Sequence, residues 1–285
     1  MATSKFIPQI WSARILEHLD KALVYGDLFN RDYEGDISNV GDTVHIGMVT
    51  APTIKSYTKG QAIAAPDAVT AEDQSMVIDQ ADYFNIGIDD VDKVQSAVDL
   101  LDGATSEAGK GFAQKTDKYL GGLLASKGKA INEKTAIVTV TKDNAYQTLL
   151  QMKTALDKAD CPQDGRIVVV PPEFEQFMLL DSRFVQVGTD ASNERLEAGT
   201  VYKAAGFVVK VSNNCPTGAD GGSGKSDAYT DIVATTPVAA TFAEQILKTE
   251  AFRPADHFMD AVKGLHVYGA AVTRPEVVSV AHVAF

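Results

Sequence analysis

Between residues 10 and 36 the chain reads IWSARILEHLDKALVYGDLFNRDYEGD, in which Trp11, Ile15, Leu19 and Leu23 recur at every fourth position with Leu16 beside them. Arg14, Glu17, Asp20 and Lys21 fill the other positions, so the spacing predicts an amphipathic helix. Pro8 suits its first turn and Gly26 its exit. A helix of about four turns is marginal alone in water, so its apolar stripe must lie on another surface, this chain's own or a neighbour's.

The pattern then changes period. Val44, Ile46 and Met48 alternate with other positions and predict a strand; a second strand ending in SMVID is expected after an excursion punctuated by Pro52 and Pro66. Connections inside compact domains run about 4 to 6 residues, so an excursion of roughly twenty is either disordered or used for contact. Phe84, Ile86 and Ile88 alternate in a third strand, which leads into the carboxylates Asp89, Asp90 and Asp92. From about Ala97 to Ser126 there is no proline, and Leu101, Ala104, Ala108, Phe112, Tyr119 and Leu123 recur at helical steps. Roughly thirty residues of helix span about 45 Å. Gly103, Gly109, Gly111, Gly121 and Gly122 interrupt it, which predicts close packing or a bend.

The second half alternates strand and helix: TAIVTV, a helix from about Asn144 to Lys158 capped by Asp143, RIVVV, and a short helix PEFEQFMLL opened by Pro171 and Pro172. GFVVKVSNN and YTDIVATT continue a layered α/β subdomain, and the closing run AAVTRPEVVSVAHVAF is expected to return to the sheet beside the long helix.

Composition narrows the class without naming a chemistry. Over 285 residues, 45% hydrophobic and 22% charged is ordinary for a soluble protein, and no run approaches the roughly 20 apolar residues of a bilayer span. The N-terminus lacks the apolar core of a secretory signal, which predicts a cytoplasmic start. Cys161 and Cys215 lack paired spacing and are expected to be free thiols. A net charge of −12 argues against a surface that grips nucleic acid through clustered lysine and arginine.

No candidate active site survives inspection. In GADGGSGKSDAY the glycine that a phosphate loop requires falls on Ala219, and the following DAYTDIVATT is strand-like, so a hairpin or exposed loop is expected. Asp89, Asp90 and Asp92 lack the glycine and glutamate of a calcium loop and are read as favouring a helix start. Position 225 is lysine, which removes the serine-hydrolase elbow around Ser223, and the five histidines show no metal-pair spacing. EAFRPADHFMDAVKGLHVYGAAVTRPE clusters Arg253, His257, His266, Tyr268 and Arg274; without a nucleophile or general base, it reads as two strands joined through Pro254 and Gly264 whose polar residues meet carboxylates. No catalytic, cofactor or metal residue is assigned.

The joint order of these segments, with the phrases FIPQIWSARILEHLDKALVYGDLFNRDYEGDI, GDTVHIG and VKGLHVYGAAVTRPE, resembles the major capsid proteins of tailed bacteriophages, the Hong Kong ninety-seven type fold. The resemblance implies an α+β fold with an N-terminal arm at residues 1–30, an extended E-loop at 40–78, a peripheral domain at 79–140 and 250–285 carrying a long spine helix, and an axial domain at 141–249. It implies a structural protein, not an enzyme, with no cofactor, that self-assembles into pentamers and hexamers of an icosahedral shell around double-stranded DNA. Trp11, Ile15 and Leu19 would then pack on an adjacent subunit, and the loop around Lys55, Tyr57 and Lys59 would lie across a neighbour, with Arg253 and His257 as further interface residues. Implied partners are copies of itself, a separate scaffolding protein, a portal, and packaged DNA contacted non-specifically, with no membrane. The implied location is the virion capsid, assembled in the host cytoplasm. An encapsulin-like shell and an unrelated α/β enzyme are the alternatives.

Overall fold

A computed structural model describes residues 23–32, 43–49, 54–57, 59–60, 62, 65, 71–89, 100–133, 137–181, 203–219, 228–256 and 258–285. The helix expected over residues 10–22 lies outside them, as do Asp90 and Asp92. Its last apolar position, Leu23, is buried against Phe112 and Ala113 of the same chain, and a 3-10 turn, Tyr25–Leu28, follows.

The two strands around the long excursion form an antiparallel hairpin, β1 (Thr43–Val49) with β2 (Ala71–Val77), in a register that sets Val44 opposite Met76. Alternation buries Val44 and Ile46 and exposes His45 between them, as period-2 patterning requires. Val44, Ile46, Met76 and Ile78 pack on Ala243 and Val267 of a three-stranded antiparallel sheet. That sheet has the order β11 (Ala240–Phe252), β12 (Met259–Val272), β3 (Gln80–Asp89). Asp89 therefore ends a strand; it pairs opposite Met259 instead of opening a helix.

Pro254 lies between β11 and β12 as expected, but Gly264 sits inside β12 opposite Thr249. Its missing side chain is needed for packing and not for a turn, because a Cβ there would lie 2.3 Å from the Phe84 ring.

Helix α1 runs from Leu100 to Lys127, a continuous 28 residues. Its buried line is Phe112, Thr116, Leu120 and Leu124, with Ala113, Asp117 and Gly121 alongside. Tyr119 and Leu123, two of the expected stripe positions, are half-buried at its margin. Of the expected glycine contacts, Gly121 is in close packing: a Cβ would come within 3.1 Å of Tyr25 and 3.2 Å of Pro216. Gly103, Gly111 and Gly122 face open space.

The larger layer is an eight-stranded mixed sheet. Its main path is β4 (Lys129–Ala130), β13 (Ser279–Ala284), β10 (Ala228–Thr235), β6 (Ile167–Val170), β8 (Phe207–Val211) and β7 (Lys203–Ala204), with β5 (Val138–Thr139) beside β13 and β9 (Thr217–Ala219) beside β10. β9 pairs antiparallel with β10, so a strand stands where a phosphate loop needs a helix; residues 220–227 between them lie outside the described residues. The closing run divides: β12 lies in the sheet beside α1, whereas β13 joins the eight-stranded sheet between β10 and β4. Five consecutive buried positions in β13 explain this, since only a strand covered on both faces accommodates them.

Helices α2 (Ala145–Lys158) and α3 (Pro172–Leu180) contribute Leu149, Met152, Leu156, Phe174 and Met178 to the core of this layer. Asn144, not Asp143, occupies the cap position of α2; its side chain turns back to the loop, accepting from Thr141 N at 2.7 Å and donating to Thr139 O at 2.8 Å.

Candidate functional site

The described surface carries several large exposed apolar groups. Ile54 is 96% exposed and Tyr57 71%, in the excursion after β1; Tyr83 on β3 is 79% exposed and Phe258, in the turn before β12, 83%. Lys55 and Lys59 are exposed beside the first pair. Tyr83, Phe84, Gly264 and Leu265 line a shallow pocket of about 360 Å³ together with Glu250 and Lys263, whose ion pair spans 2.9 Å. The Lys263 amine also lies 5.2 Å from the centre of the Phe252 ring. Exposed aromatic clusters of this kind mark contact surfaces, because burying them against a partner removes apolar area from water.

The expected interface residues therefore fall into two segments. Lys55, Tyr57 and Lys59 share the exposed excursion, while Arg253 lies at the β11–β12 turn and reaches Asp260 at 3.5 Å. Trp11, Ile15, Leu19 and His257 lie outside the described residues.

Where the segment 23–32 begins, it is fastened by polar contacts that the hydrophobic pattern does not reveal. Asp117 of α1 accepts the backbone N–H of Val24 (3.0 Å) and Tyr25 (3.0 Å). Burial raises its carboxyl pKa above the ordinary value, although those two donors pull it down. Lys210 pairs with Asp27, and Asn30 bridges to β11 through Asn30 N to Ala240 O (2.8 Å) and Phe242 N to Asn30 O (2.9 Å). Arg31 then reaches the buried Glu244 at 3.4 Å.

Glu244 also meets His266 Nε2 at 3.1 Å, and the His266 ring lies 4.9 Å from Tyr268 and 5.2 Å from Phe112. Tyr268 donates to Asp82 at 3.0 Å, and Lys115 of α1 pairs with the same carboxylate. A second buried pair, His282 Nδ1 with Asp231 at 2.5 Å, sits between β13 and β10. These pairs hold sheet to helix and strand to strand. The carboxylates interrupting otherwise apolar runs, Asp117 in the helix stripe and Glu244 in TFAEQI, were the available sequence signals.

Chemistry is correspondingly sparse. Cys161 and Cys215 are free and buried, as their spacing led us to expect, and burial pushes the Cys215 thiol up to about 11, away from the reactive thiolate. Among the described residues no group of three His, Cys, Asp or Glu is arranged to hold a metal ion, and no helix is long and apolar enough to cross a membrane.

The pattern of the phage capsid protein family matches residues 43–279. No curated protein matches the chain. Among solved structures, one from Mycobacterium phage Che8 is 31% identical, with 90% of each chain covered and a TM-score of 0.73. The capsid structure of cyanophage P-SCSP1u is 17% identical over 92% of this chain and 88% of that one, with a TM-score of 0.71. A virus-like particle from Pyrococcus furiosus shares the fold at 12% identity over 98% of this chain and 100% of that one, with a TM-score of 0.58. With this α+β architecture, the family match over residues 43–279 and the 31% identity to the Che8 structure, the chain belongs to the phage capsid protein family and is a structural protein of the virion shell.

Proposed function

We propose that copies of this chain assemble as pentamers and hexamers into an icosahedral shell that encloses double-stranded DNA, built in the host cytoplasm with a separate scaffolding protein and a portal. The observation that carries this reading is the display of Ile54, Tyr57, Tyr83 and Phe258 on a chain of the capsid family whose own core is already closed. Residues 1–30 act as the arm, 40–78 as the E-loop, 79–140 with 250–285 as the peripheral domain and 141–249 as the axial domain. Trp11, Ile15 and Leu19 of the arm, Lys55, Tyr57 and Lys59 of the loop, and Arg253 and His257 of the β11–β12 turn meet neighbouring copies. Each contact is modest, but one subunit engages several neighbours at once, so dissociation requires breaking them together. Heterologous contacts close a shell only at the right rotation, and an extended loop absorbs the difference between five-fold and six-fold surroundings. DNA inside is contacted without sequence preference; a net charge of −12 keeps its phosphates from adhering.

Negative-stain microscopy with light scattering, on the protein alone and with a candidate scaffolding protein, tests the reading. Uniform shells or capsomer rings are expected; a stable monomer or dimer under every condition overturns it. Purified particles that hold protein cargo and no DNA would overturn the DNA-enclosing part of this reading.

A further inference from the structure

Among the described residues, no strand covers the outer edge of β4 in the eight-stranded sheet. There β4 pairs with β13 alone, through Lys129 N to Val278 O and Ile131 N to Val280 O, both 2.8 Å. Alternation along a strand then turns the N–H and C=O of Ala130, which is exposed, away from the sheet. Beside this edge, α2 completes a groove of about 550 Å³. Its lining includes Lys129 and Lys158, no carboxylate, and the apolar Leu150 and Ile131. Neither lysine has a carboxylate partner among the described residues, on a chain whose net charge is −12.

We propose that this groove is a strand-addition site for an extended acidic segment of a partner protein. The main chain of that segment pairs with Ala130, its carboxylates meet Lys129 and Lys158, and an apolar side chain between them rests on Leu150 and Ile131. Main-chain pairing supplies the docking and alternate side chains supply the selection. The charge of the groove decides in favour of a carboxylate-rich strand and against a basic one. The inference stands on the groove alone and does not rest on the shell reading.

The test uses the full, unassembled chain and a fluorescein-labelled nonapeptide alternating glutamate and leucine, followed by fluorescence anisotropy at low and high salt. Saturable binding that weakens with salt is expected, with at least about tenfold loss for Lys129→Glu/Lys158→Glu, a pair of exposed changes that leaves the fold intact. A peptide with a central proline, or the alternating lysine–leucine peptide, should bind at least about tenfold more weakly. Ala130→Pro removes only the outward N–H and should weaken binding while circular dichroism stays unchanged. Absence of saturable binding, equal affinity for the charge-reversed variant, or equal affinity for the lysine peptide overturns the proposal. So does sedimentation showing self-association that Lys129→Glu/Lys158→Glu abolishes without peptide binding, which would assign the groove to a second copy.

Discussion

The eight-stranded and three-stranded sheets share helix α1, yet they are held together by different forces. Around the larger sheet, Phe174, Leu149, Val169, Ile232 and Val280 are fully buried in one continuous apolar core, to which α1 adds Leu120 and Leu124. Beneath the other half of α1 the apolar contact shrinks to Phe112, Ala113, Leu23 and the half-buried Phe84. Beside it are polar contacts: Lys115 and Tyr268 on Asp82, His266 and Arg31 on Glu244. The same sheet exposes Tyr83, and its turn exposes Phe258. One region closes a large apolar core, whereas the other combines a small apolar cluster with directional polar contacts.

The largest effect should come from cutting into the large core. Phe174→Ala is expected to cost about 3–5 kcal/mol in denaturant unfolding of the subunit. A cost below about 1 kcal/mol would mean that the larger sheet is not the stability-bearing half. Next is the pin between the halves: Asp117→Ala leaves the N–H groups of Val24 and Tyr25 without their acceptor and should cost about 2–3 kcal/mol, with faster amide exchange confined to residues 24–30. Exchange that stays slow there would show that Leu23 and Tyr25 hold the segment by packing alone.

Gly264→Ala tests whether the smaller sheet is packed tightly where it is apolar. A Cβ would meet the Phe84 ring, so a loss of about 1–3 kcal/mol is expected if that ring cannot move, and little if it can.

Alkaline pH addresses both regions. Burial, then Asp79, raises the Tyr119 phenol from 10.0 to about 12, and burial raises Cys215 from 9.0 to about 11. Because the folded values are raised, the stabilisation is complete below the ordinary values and is lost as pH climbs through the folded ones. Unfolding followed by circular dichroism should therefore set in above pH 9 and deepen to pH 12, with ultraviolet absorbance reporting tyrosinate formation in step. Tyrosinate appearing at its ordinary pH while the fold persists would contradict the buried placement.

The smallest effect on the subunit is expected from Tyr83→Ser or Phe258→Ser, within about 0.5 kcal/mol, since both side chains are already in water. Their effect on particle yield by light scattering should be large. Unchanged particle yield would remove these residues from the contact surface.

Much of this architecture is legible in period and punctuation. Alternation at Val44 and Ile46 marks the hairpin, the proline-free stretch before Lys127 marks α1, and Pro171–Pro172 opens α3. The misplacements share one cause. Tyr119 and Leu123 look like stripe positions because they are apolar, yet Thr116 and Asp117 take buried positions that local pattern assigns to solvent. Gly264 looks like a turn for the same reason, since sequence shows its missing side chain but not the Phe84 ring that fills the space. The proposed assembly residues have another origin: Lys55, Tyr57 and Lys59 came from resemblance to a family and not from any chemical pattern, because an interface side chain in an isolated subunit is simply an exposed one.

By itself, the order of apolar and polar residues determined the type and extent of the long elements and the lack of a recognisable catalytic motif. Only the tertiary structure decided that β12 and β13, adjacent in the chain, join different sheets, and that Asp117, Glu244 and His266 are interior pins. Periodicity reports which side of a strand or helix avoids water, a local property. Which surface covers that side, and which donor meets a buried carboxylate, depends on residues far away in the chain, and no local pattern carries that information.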